Sequence, residues 1–289
     1  MTCQPSCYIA TPASVSPPIT ARHFNFDDAD IILRSAAPHA TEFRVHKSLL
    51  SAASPFFKHM FALPQTPHTN IEIPVIDVFE PGTTMETLLQ YIYPMTRPTI
   101  ATLDELIPIL EAATKYDMIS VVDILRKRLV SPEFAKAAPT RVYAIACRFD
   151  LEDEAKVASR YTLNVNVLDC PLHDDLKHIT AYAYHRLLDL HRKRAKAAQE
   201  LLQLSEDVKC MQCNGARYHA FLPPKWWADF HERARQELAL RPTTDVVFSM
   251  PFLAQSAQAG CERCAGSILE AHSFLDQLKK SIDDLPSTI

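Results

Sequence analysis

Four cysteines in two matched pairs are the residues of this chain best placed to do chemistry. Cys210-Met211-Gln212-Cys213-Asn214-Gly215 and Cys261-Glu262-Arg263-Cys264-Ala265-Gly266 share the pattern C-x-x-C-x-G. The chain has only four glycines, and two of them hold the same offset behind a cysteine pair. A backbone free to turn there can direct its N–H groups at sulfur, as a metal-binding knuckle requires. Two thiolate pairs brought together form the tetrahedral four-sulfur set that zinc prefers, with metal–sulfur distances of about 2.3 Å. The expectation is a structural zinc on Cys210, Cys213, Cys261 and Cys264. His219, the histidine nearest the first pair, is a substitute ligand should one cysteine point away. The pairs stand farther apart than in common zinc ribbons. Reduced cysteines packed in a core, or disulfides, therefore stay open as alternatives. A redox-active C-x-x-C is disfavoured, because no strand precedes either pair in thioredoxin fashion.

Other candidates have simpler explanations. His173-Asp174-Asp175 with His178 has the residue types of a metal hydrolase, yet an aspartate cap and an acidic first turn opening a long helix account for it better. There is no G-x-S-x-G, no phosphate-binding glycine loop and no H-E-x-x-H, so catalysis has no anchor. His191-Arg192-Lys193-Arg194-Ala195-Lys196 reads as a solvated helix face, with a nuclear-import signal or a phosphate contact as alternatives. A formal net charge of −4 gives no general attraction to phosphate backbones, so nucleic acid is not an expected partner. Cys147, among Val142, Ala144, Ile145 and Phe149 on one helix face, reads as a free buried cysteine, and Cys170 calls for no more than that.

The elements that must position the cysteine pairs are helical. Pro223 to Leu240 carries Trp226, Trp227, Phe230, Ala234 and Leu238 at helical spacing, and Thr244 to Ala259 is expected to return the chain as a second helix. Metal would clamp this hairpin at its base. Upstream, Thr140 to Phe149 and Glu152 to Leu163 read as a helix pair joined by Asp150-Leu151 that extends the first domain, and Asp174 to Leu204 as one long helix. A chain of 289 residues exceeds one typical domain, and 47% hydrophobic content supports a substantial core. The first twenty-odd residues are rich in Pro, Ser and Thr, include Cys3 and Cys7, and lack the basic start and apolar run of a signal peptide, so disorder is expected there. No later segment reaches the roughly 18 uninterrupted apolar residues of a membrane helix. The expectation is a soluble intracellular protein, nuclear or cytoplasmic, without membrane contact. Thiols stay reduced there, and clustered cysteines then bind metal.

The N-terminal half has a different character. Phe43 and Val45 point to one face of a strand, Leu49, Leu50 and Ala53 share a helical face, and Ser54-Pro55 opens a new helix with Ser as N-cap. Thr102 with Glu105, and Thr83 with Glu86, have capping-box spacing. Ile71, Ile73 and Val75 alternate with Glu72 and Pro74, giving a strand with one apolar face, at a sheet edge or a strand end because of Pro74. A small sheet packed with helices follows.

Taken in order, these residues resemble the BTB/POZ domain. Ala29 to Arg34 is similar to that family's first strand and Ile71 to Ile76 to its third. Thr84 to Tyr93, ending in Tyr91-Ile92-Tyr93, then Leu103 to Tyr116 and Val121 to Leu129, are similar to its later helices. The resemblance implies homo- or hetero-dimerisation or docking of protein partners. In many relatives it also implies adaptor work for cullin-type ubiquitin ligases or recruitment of transcriptional co-regulators. It marks Asp30 and Lys47 as an acid and a base near a dimer pocket, a pair that would fix geometry more than stabilise the fold. His46 belongs to the same signature, as a hydrogen-bonded core or cap residue. Two departures stand out. Ala62 to Asn70 lacks the acid of the hydrophobic-x-Glu element that cullin adaptors often carry, and Tyr93 is followed by Pro94-Met95-Thr96 rather than Thr-Gly.

The succession of BTB-like unit, helix pair, long helix and cysteine-bearing tail also resembles BTB-domain proteins known mainly from fungi. The expected organisation is a disordered tail at 1–23, a BTB/POZ-like domain at 24–130, a helical extension at 131–205 and a helical tail at 206–289 with both knuckles. The fold class is α+β, followed by a mostly α-helical C-terminal region. The function expected is non-enzymatic protein–protein interaction with a zinc-stapled tail; a ubiquitin-ligase adaptor and a transcriptional regulator are the alternatives.

Overall fold

A computed structural model describes residues 19–37, 39–64, 73–213 and 222–289. The chain divides into two compact units, Met1–Arg128 and Leu129–Ile289. Residues 1–18, most of the expected disordered tail, lie outside the described residues, whereas the end of that tail is ordered as a strand.

The first unit is built on a mixed sheet of β1 (Ile19–Asn25), β2 (Ile31–Arg34), β3 (Thr41–Val45) and β4 (Val75–Asp77) in the order β1-β3-β2-β4. β2 and β3 run antiparallel at its centre, with Ile31 opposite Val45 and Leu33 opposite Phe43. All four side chains are buried. A one-residue slip would turn every one of them to the other face, so the register is strongly specified. β1 adds to β3 and β4 to β2, both parallel. β4 is an edge strand, as Pro74 requires, and the Pro74 carbonyl accepts the Ile32 N–H at 2.9 Å. Its apolar alternation is displaced from the expected one: Val75 is exposed while Ile76 is half-buried and Val78 buried. Ile71 and Glu72 lie outside the described residues.

Among the described residues, helices α1 (Lys47–Ala53), α2 (Pro55–Ala62), α3 (Gly82–Ile92), α4 (Leu103–Lys115) and α5 (Ile119–Leu129) join this sheet. Ser54 caps α2 by accepting the Phe57 N–H at 3.1 Å, with Pro55 in the first turn. Thr102 and Glu105 form the expected capping box on α4. The box expected of Thr83 and Glu86 is not formed, because α3 starts earlier, behind Pro81, and leaves Thr83 inside its first turn. The Thr83 carbonyl instead accepts the Thr87 hydroxyl at 2.9 Å.

The second unit is helical: α6 (Pro132–Ala137), α7 (Pro139–Arg148), α8 (Glu152–Thr162), α9 (Ala181–Leu201), α10 (Lys225–Leu240), α11 (Thr244–Val247), α12 (Met250–Ala259), α13 (Cys264–Glu270) and α14 (His272–Asp283). The pair α7–α8 turns at Asp150, whose φ of 54° is one that Asp tolerates better than most residues. Expected to extend the first domain, this pair groups with the second unit instead. The helix expected from Asp174 to Leu204 is interrupted: Asp174–His178 is a 3-10 turn, and Thr180 caps α9 by accepting the Ala183 N–H at 3.1 Å. The acidic residues of that turn are ion-paired, Asp175 to Arg141 at 2.6 Å and Asp174 to Lys177 at 2.7 Å. The expected helix from Thr244 to Ala259 is likewise two, because Ser249 caps α12 and Pro251 sits in its first turn. Among the described residues no helix is long and apolar enough to cross a membrane.

The basic run on α9 is divided by the helical period. Arg192 and Lys193 each pair with Asp189 at 2.6 Å, and Lys196 faces Glu200 at 3.8 Å. Arg194 is buried, and its guanidinium donates to the main-chain carbonyls of Pro242 at 2.8 Å, Ile282 at 2.9 Å and Pro286 at 3.0 Å, and to that of Leu285. The run is therefore a solvated face only in part. His191 also turns inward, its Nε2 lying 3.0 Å from the Thr162 hydroxyl.

Burial pushes the His191 imidazole down to about 4. A folded value below the unfolded one, about 6.5, favours the neutral ring, so this contribution is complete above the unfolded value and lost as pH falls toward 4. We expect the second unit to lose up to about 3 kcal/mol across that window from this ring alone. Denaturant melts of wild type and His191→Gln from pH 7 to 4 check this; the variant should show the shallower decline.

Candidate functional site

The cysteine pairs sit at two chain reversals beside α10. Cys210 and Cys213 follow α9, Cys261 follows α12, and Cys264 opens α13. What brings them together is the apolar face of α10, where Trp226, Trp227, Phe230, Ala234 and Leu238 are all buried at the expected spacing. These residues share one core with Cys210, Cys264, Val247, Ile268, Leu275 and Ile282. Trp226 and Trp227 meet edge to face, at 5.8 Å between ring centroids and 88° between planes.

The sulfurs converge as four, not as two separate pairs. Cys210 Sγ lies 3.4 Å from Cys261 Sγ and 4.0 Å from Cys264 Sγ; Cys264 Sγ is 3.7 Å from Cys213 Sγ and 3.6 Å from Cys261 Sγ. All four fall within 4.8 Å of one another. A tetrahedral ion with bonds of about 2.3 Å to sulfur places its ligands about 3.8 Å apart, so the observed spacing fits such an ion. A disulfide requires about 2.05 Å. None of the four is in a disulfide. This cluster could hold a metal ion. Among the described residues no other group of three or more potential ligands gathers, so His173, Asp174, Asp175 and His178 do not form a metal site. Gly215 and His219 lie outside the described residues.

The cluster is prepared for negative charge unevenly. Burial opposes ionisation of Cys210, but the N–H groups of Gln212 and Cys213 and the neighbouring thiols outweigh it and bring this thiol down to about 7. Burial pushes Cys213 up to about 12, and the other three sulfurs add to the effect, although the Lys225 N–H points at Cys213 Sγ from 3.3 Å. Burial and the thiols of Cys210 and Cys264 raise Cys261 as well, against the Arg263 N–H and the Cys213 thiol. Four thiolates at this spacing need a cation among them, and loading one releases the protons that remain.

Ser267 ties the pairs together from outside. Its hydroxyl accepts the Trp226 Nε1–H at 2.9 Å and donates to the Lys209 carbonyl at 2.7 Å, next to Cys210. Of the two glycines at the shared offset, Gly266 is the described one, and it does not play the part expected of it. Gly266 lies inside α13 with open space where a Cβ would stand, and no glycine among those described has a positive φ. Gly260 is the constrained one: a Cβ there would lie 2.4 Å from Cys264 Sγ and 2.5 Å from its Cβ. Only its place directly before Cys261 could have drawn notice in the sequence. Gly260→Ala should therefore weaken metal binding at least about tenfold, or about 1.4 kcal/mol. Gly266→Ala should leave binding unchanged and stabilise α13 by about 0.5–1 kcal/mol. Competition with a chromophoric chelator, with melts alongside, separates the two.

In the first unit the signature residues hold one another. Asp30 Oδ1 accepts the Lys47 main-chain N–H at 2.7 Å, at the start of α1. The contact expected between an acid and a base is thus made by the Lys47 backbone rather than its ammonium, which lies 6.0 Å from the Phe61 ring. His46 is the N-cap residue of α1. Its N–H donates to the Tyr93 hydroxyl at 2.9 Å, and its ring bridges that hydroxyl at 3.0 Å and Asp28 at 3.1 Å. The hydrogen bond from His46 holds the Asp28 carboxyl below its ordinary range. At the end of α4, Lys115 and the Tyr116 hydroxyl both donate to Glu80, at 2.7 and 2.5 Å.

A family model of the BTB/POZ domain matches residues 23–133. Comparison with curated proteins finds no match to the chain. Domains of this family mediate protein–protein interaction, including dimerisation, and are generally non-enzymatic. With a mixed sheet of four strands and five helices among the described residues, and this match, residues 23–133 of the chain are a BTB/POZ domain.

Proposed function

We infer that the chain is a non-enzymatic interaction protein whose BTB/POZ domain pairs with a second copy or docks another protein, and whose helical unit is stapled by a structural zinc. The observation that carries the first half is the family match over residues 23–133. The second half rests on the four convergent sulfurs. Cys210, Cys213, Cys261 and Cys264 would hold the ion and occupy every tetrahedral position. No open position is then left for water or substrate, and the metal organises the fold without taking part in a reaction. The regulator alternative draws little support from α9, where Arg194 and His191 turn inward and Asp189 answers both Arg192 and Lys193.

Sedimentation equilibrium of the full chain from submicromolar to tens of micromolar concentration tests the interaction half. A reversible dimer supports the homotypic reading. A monomer at every concentration contradicts it and moves the assignment to docking of a different protein.

A further inference from the structure

Each accessible sulfur of the cluster faces a buried one from the opposite pair. Half-buried Cys261 makes its shortest contact, 3.4 Å, with buried Cys210, and half-buried Cys213 lies 3.7 Å from buried Cys264. The contact of Cys261 within its own pair, 3.6 Å to Cys264, is longer than its contact across. Each sulfur a small oxidant reaches first thus has a buried sulfur within 3.7 Å across the junction, 51 residues away in the chain.

We propose that the site is peroxide-sensitive, and that oxidation expels the metal and leaves the disulfides Cys210–Cys261 and Cys213–Cys264 in its place. This rests on the zinc reading above. Thiolate, not thiol, is the nucleophile toward an oxidant. The accessible sulfur attacks one oxygen of a hydroperoxide, the O–O bond breaks, and a sulfenic acid forms while the second oxygen leaves as hydroxide. The facing thiolate then attacks the sulfenic sulfur; an S–S bond forms, the S–O bond breaks and hydroxide departs. Two hydrogen peroxide molecules so take four electrons from four thiolates and, with four protons, end as two disulfides and four waters. The ion leaves because disulfide sulfurs no longer carry the charge that held it.

The pairing decides what oxidation does to the fold. Cross-pair disulfides join the two segments that the metal joined, so the helices around Trp226 stay clamped. Disulfides within each C-x-x-C would cut that link and free the segments from one another.

The test treats the zinc-loaded full chain with hydrogen peroxide in the presence of a chromophoric zinc indicator. Disulfides are then mapped by peptide mass spectrometry, and tryptophan fluorescence is followed in denaturant. The expected result is release of about one zinc per two peroxides consumed, the two cross-pair linkages, a cooperative tryptophan transition retained after oxidation, and recovery of zinc binding on reduction. Linkages Cys210–Cys213 and Cys261–Cys264, sulfinic acids instead of disulfides, or zinc retained at peroxide levels that oxidise Cys170 would each overturn the proposal while leaving the zinc reading intact. A chain that holds no zinc before peroxide is added would overturn the zinc reading itself, and the expulsion step with it.

Discussion

Replacing Cys264 with serine is expected to abolish metal binding and to remove the cooperative melt of the second unit. Cys264 is fully buried, opens α13 and lies within 4.0 Å of the other three sulfurs. Structural zinc contributes about 10–16 kcal/mol of apparent binding free energy in small zinc-dependent peptides. A domain's whole stability is only about 5–15 kcal/mol, so a unit built round such a site has little left without it. Both tryptophans of the chain lie in this core, so intrinsic fluorescence reports on this unit alone. The BTB/POZ unit has its own core around Phe24, Phe43, Leu88 and Leu110. A far-UV transition from it should persist in the variant. A sharp tryptophan transition at wild-type denaturant concentration in Cys264→Ser would remove the metal from the account of this fold.

The second large effect belongs to Arg194. Its guanidinium holds the carbonyls of Pro242, Ile282, Leu285 and Pro286, so it gathers the end of α14 and the loop before α11 onto α9. Burial lowers its affinity for the proton, and Asp283 offsets this in part through space. Removing one partner of a buried charged network costs about 3–5 kcal/mol. Arg194→Met should cost the second unit about that much, even though methionine keeps most of the packing volume. Arg194→Lys should rescue little, because one ammonium cannot reproduce the fork of five donors. Urea melts followed by tryptophan fluorescence give both numbers; a loss below about 1 kcal/mol for Arg194→Met would show these bonds to be replaceable by water.

What could be read from the sequence follows from where each signal resides. The α10 stripe, the box at Thr102 and the inward face of Phe43 and Val45 are local patterns, and all are found as expected. The two C-x-x-C pairs were legible as candidate ligands from their matched pattern, and their convergence is supplied by the helices between them. β1 was missed because its strand pairing is irregular between Thr20 and Asn25, which breaks the alternation that marks a strand. Thr180 was missed because no Glu or Gln stands at position 183 to complete a capping box. Arg194 looked like one member of a basic run because its partners are main-chain carbonyls 48 to 92 residues away. Gly260 could not be singled out because its constraint is a sulfur that only the folded turn brings against it.

The most direct test of the whole account is elemental analysis of the purified full chain, with native mass spectrometry for stoichiometry and tryptophan fluorescence before and after a strong chelator. A structural zinc staple predicts about one zinc per chain, bound without an open position, and loss of the tryptophan core's cooperative transition when the chelator removes it. A metal-free chain whose tryptophan core melts cooperatively would contradict it.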